Sequence, residues 1–413
     1  MTLQPLRRVF TVVNGGTPTS EAENWDGDIA WATPIDLGRL NGARISETQR
    51  TLTTMGLRTG SSLVPAGSLI VSTRAPIGYV AETTIPMAFN QGCRGLVPRT
   101  ELDVRFFRYQ LAVSAEQLQA RGQGSTFVEL STDGLASFPV AVPPLSEQRS
   151  IADYLDAETA QIDAVVENRR RQVRLLDARR SSVVVQLATG DADGGADGLI
   201  SFPVGWAHTR LKFLVQPPQA GDWGDDPTGV DDTFVVRAAD FDRKRWRVDP
   251  ARLPLRSIEK SSFLQRRLRA GDLVLEKSGG GPDQPVGATV SFDLDVSAIA
   301  SNFAARLRPA DGIDGRFLCY ALAATYEVGL NQRSVKQTTG IQNLDAGAYL
   351  SEAWAVPTYE QQVRIRAQID AQLTAIDVLQ DAAGRQMRLL LERRQALITA
   401  AVTGQIAVPG VAA

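Results

Sequence analysis

Lys277-Ser278-Gly279-Gly280-Gly281-Pro282 is the stretch most like a catalytic loop, and it lacks what such a loop needs. A phosphate-cradling P-loop ends in Gly-Lys-Ser/Thr and opens a helix, whereas here the lysine comes first and Pro282 leaves no helix start. No Gly-x-Gly-x-x-Gly follows a strand and opens a helix, so a dinucleotide or S-adenosylmethionine fold is unsupported. The Asn/Asp-Pro-Pro-aromatic motif that amino-methyltransferases use is also missing. His208 is the single histidine, and with only Cys93 and Cys319 beside it neither a zinc site nor a histidine-based triad can be built. The two cysteines fall at non-equivalent places in the chain's two halves and read as separate buried thiols, which suits a reducing cytosol. Carboxylates are plentiful, but none recur at metal-ligand spacing. The expectation is a chain that does no chemistry itself and holds no cofactor or metal.

Binding is what remains. The net charge of −2 over 413 residues argues weakly against a nucleic-acid partner, but distribution matters more than the total. Residues 243–269 carry ten Lys/Arg against Asp249 and Glu259, and residues 39–58 carry four Arg against Glu47. Both halves thus place a positive segment at the same point. No apolar run approaches the roughly 18 residues a membrane span needs, and residues 1–13 lack a secretory h-region. The expected location is the cytoplasm.

The elements that would position a binding surface are written twice. Pro144-Leu145-Ser146-Glu147-Gln148-Arg149 opens a long amphipathic stretch closing on Leu187-Ala188-Thr189-Gly190. Pro357-Thr358-Tyr359-Glu360-Gln361-Gln362 opens another closing on Ala401-Val402-Thr403-Gly404. Glu147 and Glu360 lie 213 positions apart, Thr189 and Thr403 lie 214 apart. That period implies two copies of a domain plus its helix. Further anchors are Gly67-Ser68-Leu69-Ile70 with Gly271-Asp272-Leu273-Val274, Pro76-Ile77-Gly78 with Pro285-Val286-Gly287, and Asn90 with Asn302. Ile369, Leu373, Ile376, Met387, Leu390 and Leu397 recur in steps of four and three, with Gln380 and Arg394 interrupting. Ile151, Leu155, Ile162, Val165, Val173 and Leu176 form the matching seam of the first stretch. Each stretch, about 40 residues, spans about 60 Å as a helix, too long to hide its stripe against its own small domain. The two are therefore expected to pair with each other. The reading is an α+β chain: mixed α/β domains at 1–144 and 191–357 (the second entered through a linker), separated by long antiparallel coiled-coil helices at 145–190 and 358–406, with a tail at 407–413. This is a pseudo-twofold internal repeat. Paired modules commonly address half-sites about 34–36 Å apart on a duplex, a spacing such helices can hold.

In this order, the chain resembles the specificity subunit of type I restriction–modification systems. Gly15-Gly16-Thr17-Pro18, Asn24-Trp25-Asp26-Gly27-Asp28-Ile29-Ala30-Trp31-Ala32-Thr33-Pro34 and Asp36-Leu37 look like the opening of that family's target-recognition domain. Pro143-Pro144-Leu145-Ser146-Glu147-Gln148 and the closing Thr-Gly pairs look like its central and C-terminal helices. The second copy departs from the pattern: it lacks Gly-Gly-Thr-Pro, having Gln216-Pro217-Pro218 nearby, and its Glu-Gln motif lacks the Pro-Leu pair. The resemblance implies a DNA reader whose two domains each read one half of an interrupted site, with the helices setting the gap. It implies two modification subunits that bring S-adenosylmethionine and methylate adenine, and restriction subunits, motor and nuclease in one, that bring ATP and Mg²⁺. The competing classes are a coiled-coil scaffold whose domains bind proteins, and a methyltransferase fused to its own reader.

Under that resemblance the candidate DNA contacts are Arg74, Asn90, Gln91, Arg94, Ser125 and Thr126 in the first copy. Lys277, Ser278, Asn302, Arg306, Lys336, Gln337 and Thr338 are those of the second. Arg pairs bidentately with guanine and Asn or Gln with adenine, while hydroxyls and lysines mainly hold phosphates. Residues shared by both copies are expected to be scaffold or phosphate contacts rather than base readers, because shared residues cannot read two different half-sites. Trp25, Trp31 and Trp206 are expected to pack, and His208 to lie on the surface.

Overall fold

Leu69-Ile70-Val71-Ser72 is buried along its whole length because both faces of its sheet are covered. Successive side chains of a strand point to opposite faces. Leu69 and Val71 accordingly join the core containing Phe106 and Phe107, while Ile70 joins a second core with Leu37, Ala81 and Phe89. In the other half of the chain Leu273 and Leu275 share a core with Leu318 and Tyr320, and Val274 shares one with Val236 and Phe292. The architecture is that of a computed structural model describing residues 3–40, 43–124, 128–190, 200–281, 283–338 and 340–411.

Two compact units divide the chain: Met1–Asn168 with Arg385–Ala413, and Arg169–Gly384. In the first, a five-stranded sheet runs Phe10–Asn14, Cys93–Pro98, Leu69–Ser72, Val80–Thr83, Arg44–Ile45, antiparallel except for the last pair. A four-stranded sheet, Arg50–Leu52, Trp25–Ala32, Met87–Phe89, Ser62–Val64, accompanies it. In the second unit the order Gln219–Ala220, Ala304–Leu307, Asp272–Glu276, Thr289–Phe292, Arg247–Val248 repeats the five strands, and Phe241–Asp242 adds a sixth. The strands Leu255–Arg256, Thr233–Val236 and Ala298–Ala300 repeat part of the smaller sheet.

The long amphipathic stretches are continuous helices, Leu145–Thr189 and Tyr359–Val402. Within the first unit Ile151 and Leu155 pack in one core with Ile398, Ala401 and Val402, and Arg394 forms an ion pair with Asp163 at 3.0 Å. Within the second, Val184, Val185 and Ala188 pack with Ile369 and Leu373, while Gln380 donates to Asp177 at 2.8 Å. In each unit early residues of one helix meet late residues of the other, so the pairing is antiparallel. The polar interruptions of the seam are thus partnered: Gln380 by Asp177 and Arg180, Arg394 by Asp163.

One seam position is corrected. Val165 is 40% exposed, and Val166 at 3% takes its place in the interface. Thr159, itself buried, already supplies the step of three before Ile162, so the next inward residue lies four further on. The remaining seam residues are oriented inward: Ile162, Ile369, Leu373 and Ile376 are buried, and Val173, Leu176, Met387, Leu390 and Leu397 half-buried.

The Glu-Gln motif docks each helix to its domain through one buried amide. Gln148 Oε1 accepts from the Asp103 N–H at 2.9 Å, and its Nε2 donates to the Pro143 carbonyl at 2.8 Å. Gln362 does the same with Asp314 at 2.8 Å and Pro357 at 3.0 Å. The structural counterpart of Gln148 is therefore Gln362, not Gln361, and the motif repeats at the 214 spacing of Thr189 and Thr403. Gln361 instead accepts from the Thr358 N–H at 3.0 Å at the helix start. A phenol–carboxylate bond repeats as well, Tyr109 to Asp156 at 2.6 Å and Tyr320 to Asp370 at 2.5 Å. Among the described residues no helix is long and apolar enough to cross a membrane.

Candidate nucleic-acid interface

The Gly15-Gly16 pair is a close-approach device. A Cβ on Gly15 would lie 2.0 Å from the Asn90 carbonyl oxygen, and one on Gly16 would lie 2.2 Å from that of Gly60. No side chain fits there, and the Gly16 N–H donates to Phe89 O at 3.0 Å. The loop is thereby pressed against the turn after Met87–Phe89, and Thr17 hydrogen-bonds Gln91. Asn90 builds that turn: its Oδ1 accepts from the Gly92 N–H at 3.0 Å, and its carbonyl from Cys93 N at 3.0 Å.

The structure gathers Arg74, Asn90, Gln91 and Arg94 at one end of the first unit but gives them different work. Arg94, with an 11% exposed side chain, donates to Gln91 O at 2.9 Å, Cys93 O at 3.0 Å and Thr132 Oγ1 at 3.0 Å, and pairs with Glu129 at 3.3 Å. It is an internal brace. Arg74 and Gln91 are exposed, Arg74 with Glu129 at 3.0 Å. Ser125 and Thr126 lie outside the described residues.

In the second unit a single glycine performs the same approach: a Cβ on Gly221 would lie 2.1 Å from Ser301 O. The surrounding hydrogen bonds fix the correspondence. Asp222 N donates to Ala300 O, Ala304 N to Ser301 O and Ser301 N to Val236 O, as Gly16 N does to Phe89 O, Cys93 N to Asn90 O and Asn90 N to Ala32 O. Ser301 thus stands where Asn90 does, Asn302 where Gln91 does, and Phe303 where Gly92 does. The sequence match of Asn90 with Asn302 slips by one residue.

The same pattern of backbone bonds continues outward. Lys277 N and Ser278 N donate to Phe303 O, as Thr73 N and Arg74 N do to Gly92 O, and Leu344 N donates to Lys277 O as Leu130 N does to Thr73 O. Ser278 with Asn343 (2.6 Å) therefore occupies the place of Arg74 with Glu129. Arg306 has no arginine opposite it in the first copy. Its guanidinium donates to Gln265 O at 2.9 Å and Arg267 O at 3.0 Å, which makes it structural. Lys336 and Gln337 are exposed on the strand Val335–Thr338, and Lys336 holds Asp345, 2.8 Å away, below the usual carboxylate range. Thr338 is the last residue of that strand, and Lys277 is half-buried at the end of Asp272–Glu276.

Sequence reasoning missed Trp223, Glu129, Asn343 and Phe303. The available signal was the loss of a glycine at Phe303 after an otherwise repeated turn.

The basic run is less bare than its composition implied. Arg243 pairs with Glu276 at 2.9 Å, Arg256 with Asp226 at 2.7 Å and Arg247 with Asp293 at 3.9 Å. Lys244 pairs with Asp177 at 3.0 Å and Arg245 with Asp377 at 3.0 Å, both on the long helices. Half of the run thus fastens the second domain internally. Trp25 and Trp31 are buried edge-to-face with centroids 5.0 Å apart, and Trp206 packs on Phe202 at 6.1 Å. His208 is exposed on the strand Ala207–Arg210. Among the described residues no cluster of His, Cys, Asp or Glu is placed to hold a metal. Both cysteines are buried, and desolvation pushes the Cys319 thiol up to about 11.

Residues 4–173 match the family described as the type I restriction modification DNA specificity domain. That stretch, about two fifths of the chain, holds the first mixed domain and the first part of the helix Leu145–Thr189. Among curated relatives, the type I restriction enzyme MjaIX specificity subunit of Methanocaldococcus jannaschii is 31% identical over 179 residues, 42% of this chain and 40% of the relative. The EcoprrI specificity subunit of Escherichia coli is 30% identical over 155 residues, 36% of this chain and 38% of the relative. The chain thus spans about two fifths of the length of these relatives. Solved structures extend the likeness in fold to the second unit. A chain from a study of complex assembly and conformational transition of the type I R-M system superposes with a TM-score of 0.69 at 18% identity, covering 98% of each chain. The HsdS subunit from Thermoanaerobacter tengcongensis gives 0.50 at 19% identity, covering 98% of this chain and 97% of that one. In this chain the internal repeat is therefore a repeated backbone bearing unlike surfaces.

Proposed function

We propose that this chain is the non-catalytic recognition subunit of a type I restriction–modification complex, each domain reading one half of an interrupted duplex site. One observation carries the reading. The backbone bonds around Asn90 and Ser301 superimpose two platforms, yet nearly every outward position differs: Thr17 against Trp223, Arg74 against Ser278, Gln91 against Asn302, Gly92 against Phe303, Glu129 against Asn343. The inward devices stay the same: the close-approach glycine, the Gln148 and Gln362 clamps, the Tyr–Asp bonds. A duplicated frame with unlike donors and acceptors suits two different half-sites, since base edges are told apart by their donor and acceptor pattern.

The paired helices would set the gap, and each unit offers apolar side chains to a modification subunit. These are Leu389 at 63% exposure in the first unit, and Leu175 at 61% and Val378 at 60% in the second. S-adenosylmethionine would then reside on the modification subunits, and ATP and Mg²⁺ on restriction subunits. The internal pairing of the basic run supports a second reading, a scaffold whose domains bind proteins. Duplex binding by the chain assembled with its modification subunits separates the two. A phosphate-contacting reader weakens steeply as salt rises. The expected outcome is loss of affinity when either half-site is scrambled, and a shifted gap preference when about four residues are inserted into both helices. Affinity indifferent to both changes would refute the reading.

A further inference from the structure

Beside Phe303 the second unit has a recess of about 300 Å³, lined by Trp223, Ala238, Ala239, Asn302 and Phe303, by the hydroxyls of Ser278 and Ser301, and by Arg237, whose guanidinium is paired with Asp240 at 2.8 Å. Its size is at the small end of ligand pockets, room for one ring system rather than a drug-sized molecule. Phe303 is 58% exposed, unusual for a phenylalanine fixed by a backbone that is hydrogen-bonded to Lys277 and Ser278. Trp223 is held from behind, its ring carrying the Arg256 guanidinium at 4.9 Å, with Arg256 itself paired to Asp226. Asn302 is exposed at the rim and presents an amide, a donor and an acceptor together. The equivalent positions of the first unit are Thr17, Gln91 and Gly92, which provide no aromatic surface.

We propose that this recess is a binding site for a single unstacked nucleobase carried on a strand, stacked against the aromatic side chains Phe303 and Trp223 and addressed on its edge by Asn302. Two aromatic side chains, the small apolar pair Ala238-Ala239 and polar groups at Asn302, Ser278 and Arg237 suit a planar, hydrogen-bonding ring, and a thymine methyl group alone would leave most of the space empty. The site deepens the DNA-reading function and rests on it, because it lies on the platform that differs between the two domains. The two domains would then read differently in kind: the first through polar groups alone, the second by taking up a base.

Decathymidylate is the probe, since thymines stack weakly on one another and are cheap to bring in. Trp223 emission is isolated by comparing the full chain with W223F, the chain having six tryptophans. Decathymidylate is expected to quench Trp223. F303A should weaken its binding about 5- to 150-fold, the loss typical of one stacked aromatic, and F303Y should restore it. Circular dichroism melting of F303A should match the parent, Phe303 being largely exposed. Absent quenching, or F303A within twofold of the parent, overturns the site. Free thymidine quenching as well as the oligomer overturns its assignment to a strand. Salt-dependent duplex binding without quenching sinks the recess and leaves the DNA-reading function standing; quenching without any duplex binding does the reverse.

Discussion

Replacing Gln362 by alanine should cost far more than replacing its neighbour Gln361, although the written motif Glu360-Gln361 points to the latter. Gln362 is 1% exposed and satisfies the Asp314 N–H and the Pro357 carbonyl at once. Truncation leaves both backbone groups without their partner beneath the helix start. Each such group costs about 1–3 kcal/mol, so Q362A should lose about 2–5 kcal/mol. Gln148 is 3% exposed with the same two bonds, so Q148A should lose a similar amount in the first unit. Q361A removes one exposed bond to the Thr358 N–H, a cap worth about 1 kcal/mol or less. Q362E is a sharper probe: it keeps an acceptor for Asp314 but turns an anionic oxygen toward the Pro357 carbonyl, and should be no better than alanine. The assay is urea unfolding followed by far-UV circular dichroism, reading the first transition because two compact units need not unfold together. In a thermal scan 2–5 kcal/mol corresponds to roughly 5–15 °C for a unit of this size. If Q362A lies within about 0.5 kcal/mol of the parent, or Q361A costs as much as Q362A, the clamp and the register drawn from it are wrong.

Two further outcomes are expected. V166A should lose about 2 kcal/mol in the same unfolding assay while V165A stays within about 0.5 kcal/mol, since Val166 is 3% and Val165 40% exposed; equal losses would contradict the seam. In acid, burial opposes the charge of Asp156, but Tyr109, Arg105 and Arg108 outweigh it and hold the carboxyl below the usual range, and Arg180 and Arg245 do likewise for buried-edge Asp377. A lowered folded pKa adds stability that is fully present above the unfolded value near 4 and is lost as pH falls through the folded one. The urea midpoint should therefore hold from pH 7 to about 5 and drop below 4, less steeply in D156N and D377N; an unchanged acid limb in both variants would refute the assignment.

The fold was legible where burial is periodic. A stripe repeating in steps of four and three identifies a long paired helix without any tertiary knowledge, and the unbroken apolar run Leu69-Ile70-Val71 marks a strand covered on both faces. Register was less legible, and for one reason in three places. Identity or type of side chain aligns Glu360 on Glu147 and Asn302 on Asn90, and places Val165 on the seam. The structure aligns backbone groups instead, because an unsatisfied buried N–H or carbonyl is more costly than an altered side chain. A single-residue slip is invisible to composition yet decides which group faces outward. The basic run misled differently. Its counter-charges, Asp177, Asp226 and Asp377, lie up to more than a hundred residues away, so a local count of charge saw only one side of each pair.

The corrected register also changes which residues are candidates for reading. With Asn90 aligned on Asn302, a shared asparagine belonged to the scaffold. With Ser301 in that place, Asn302 moves to the exposed position of Gln91, and Phe303 emerges where the first copy has only Gly92. Conversely Arg94 and Arg306, both attractive for a bidentate contact with guanine, spend donors internally: Arg94 on Gln91, Cys93, Thr132 and Glu129, Arg306 through Nη1 on the Gln265 and Arg267 carbonyls. Arg94, committed to four internal bonds, would have to abandon them to reach a base, and the gain of one bidentate pair, about 1–3 kcal/mol, does not offset that loss. Under the proposed function, the reading groups are those exposed on this frame: Gln91 and Arg74 in the first domain, Asn302, Gln337 and Phe303 in the second.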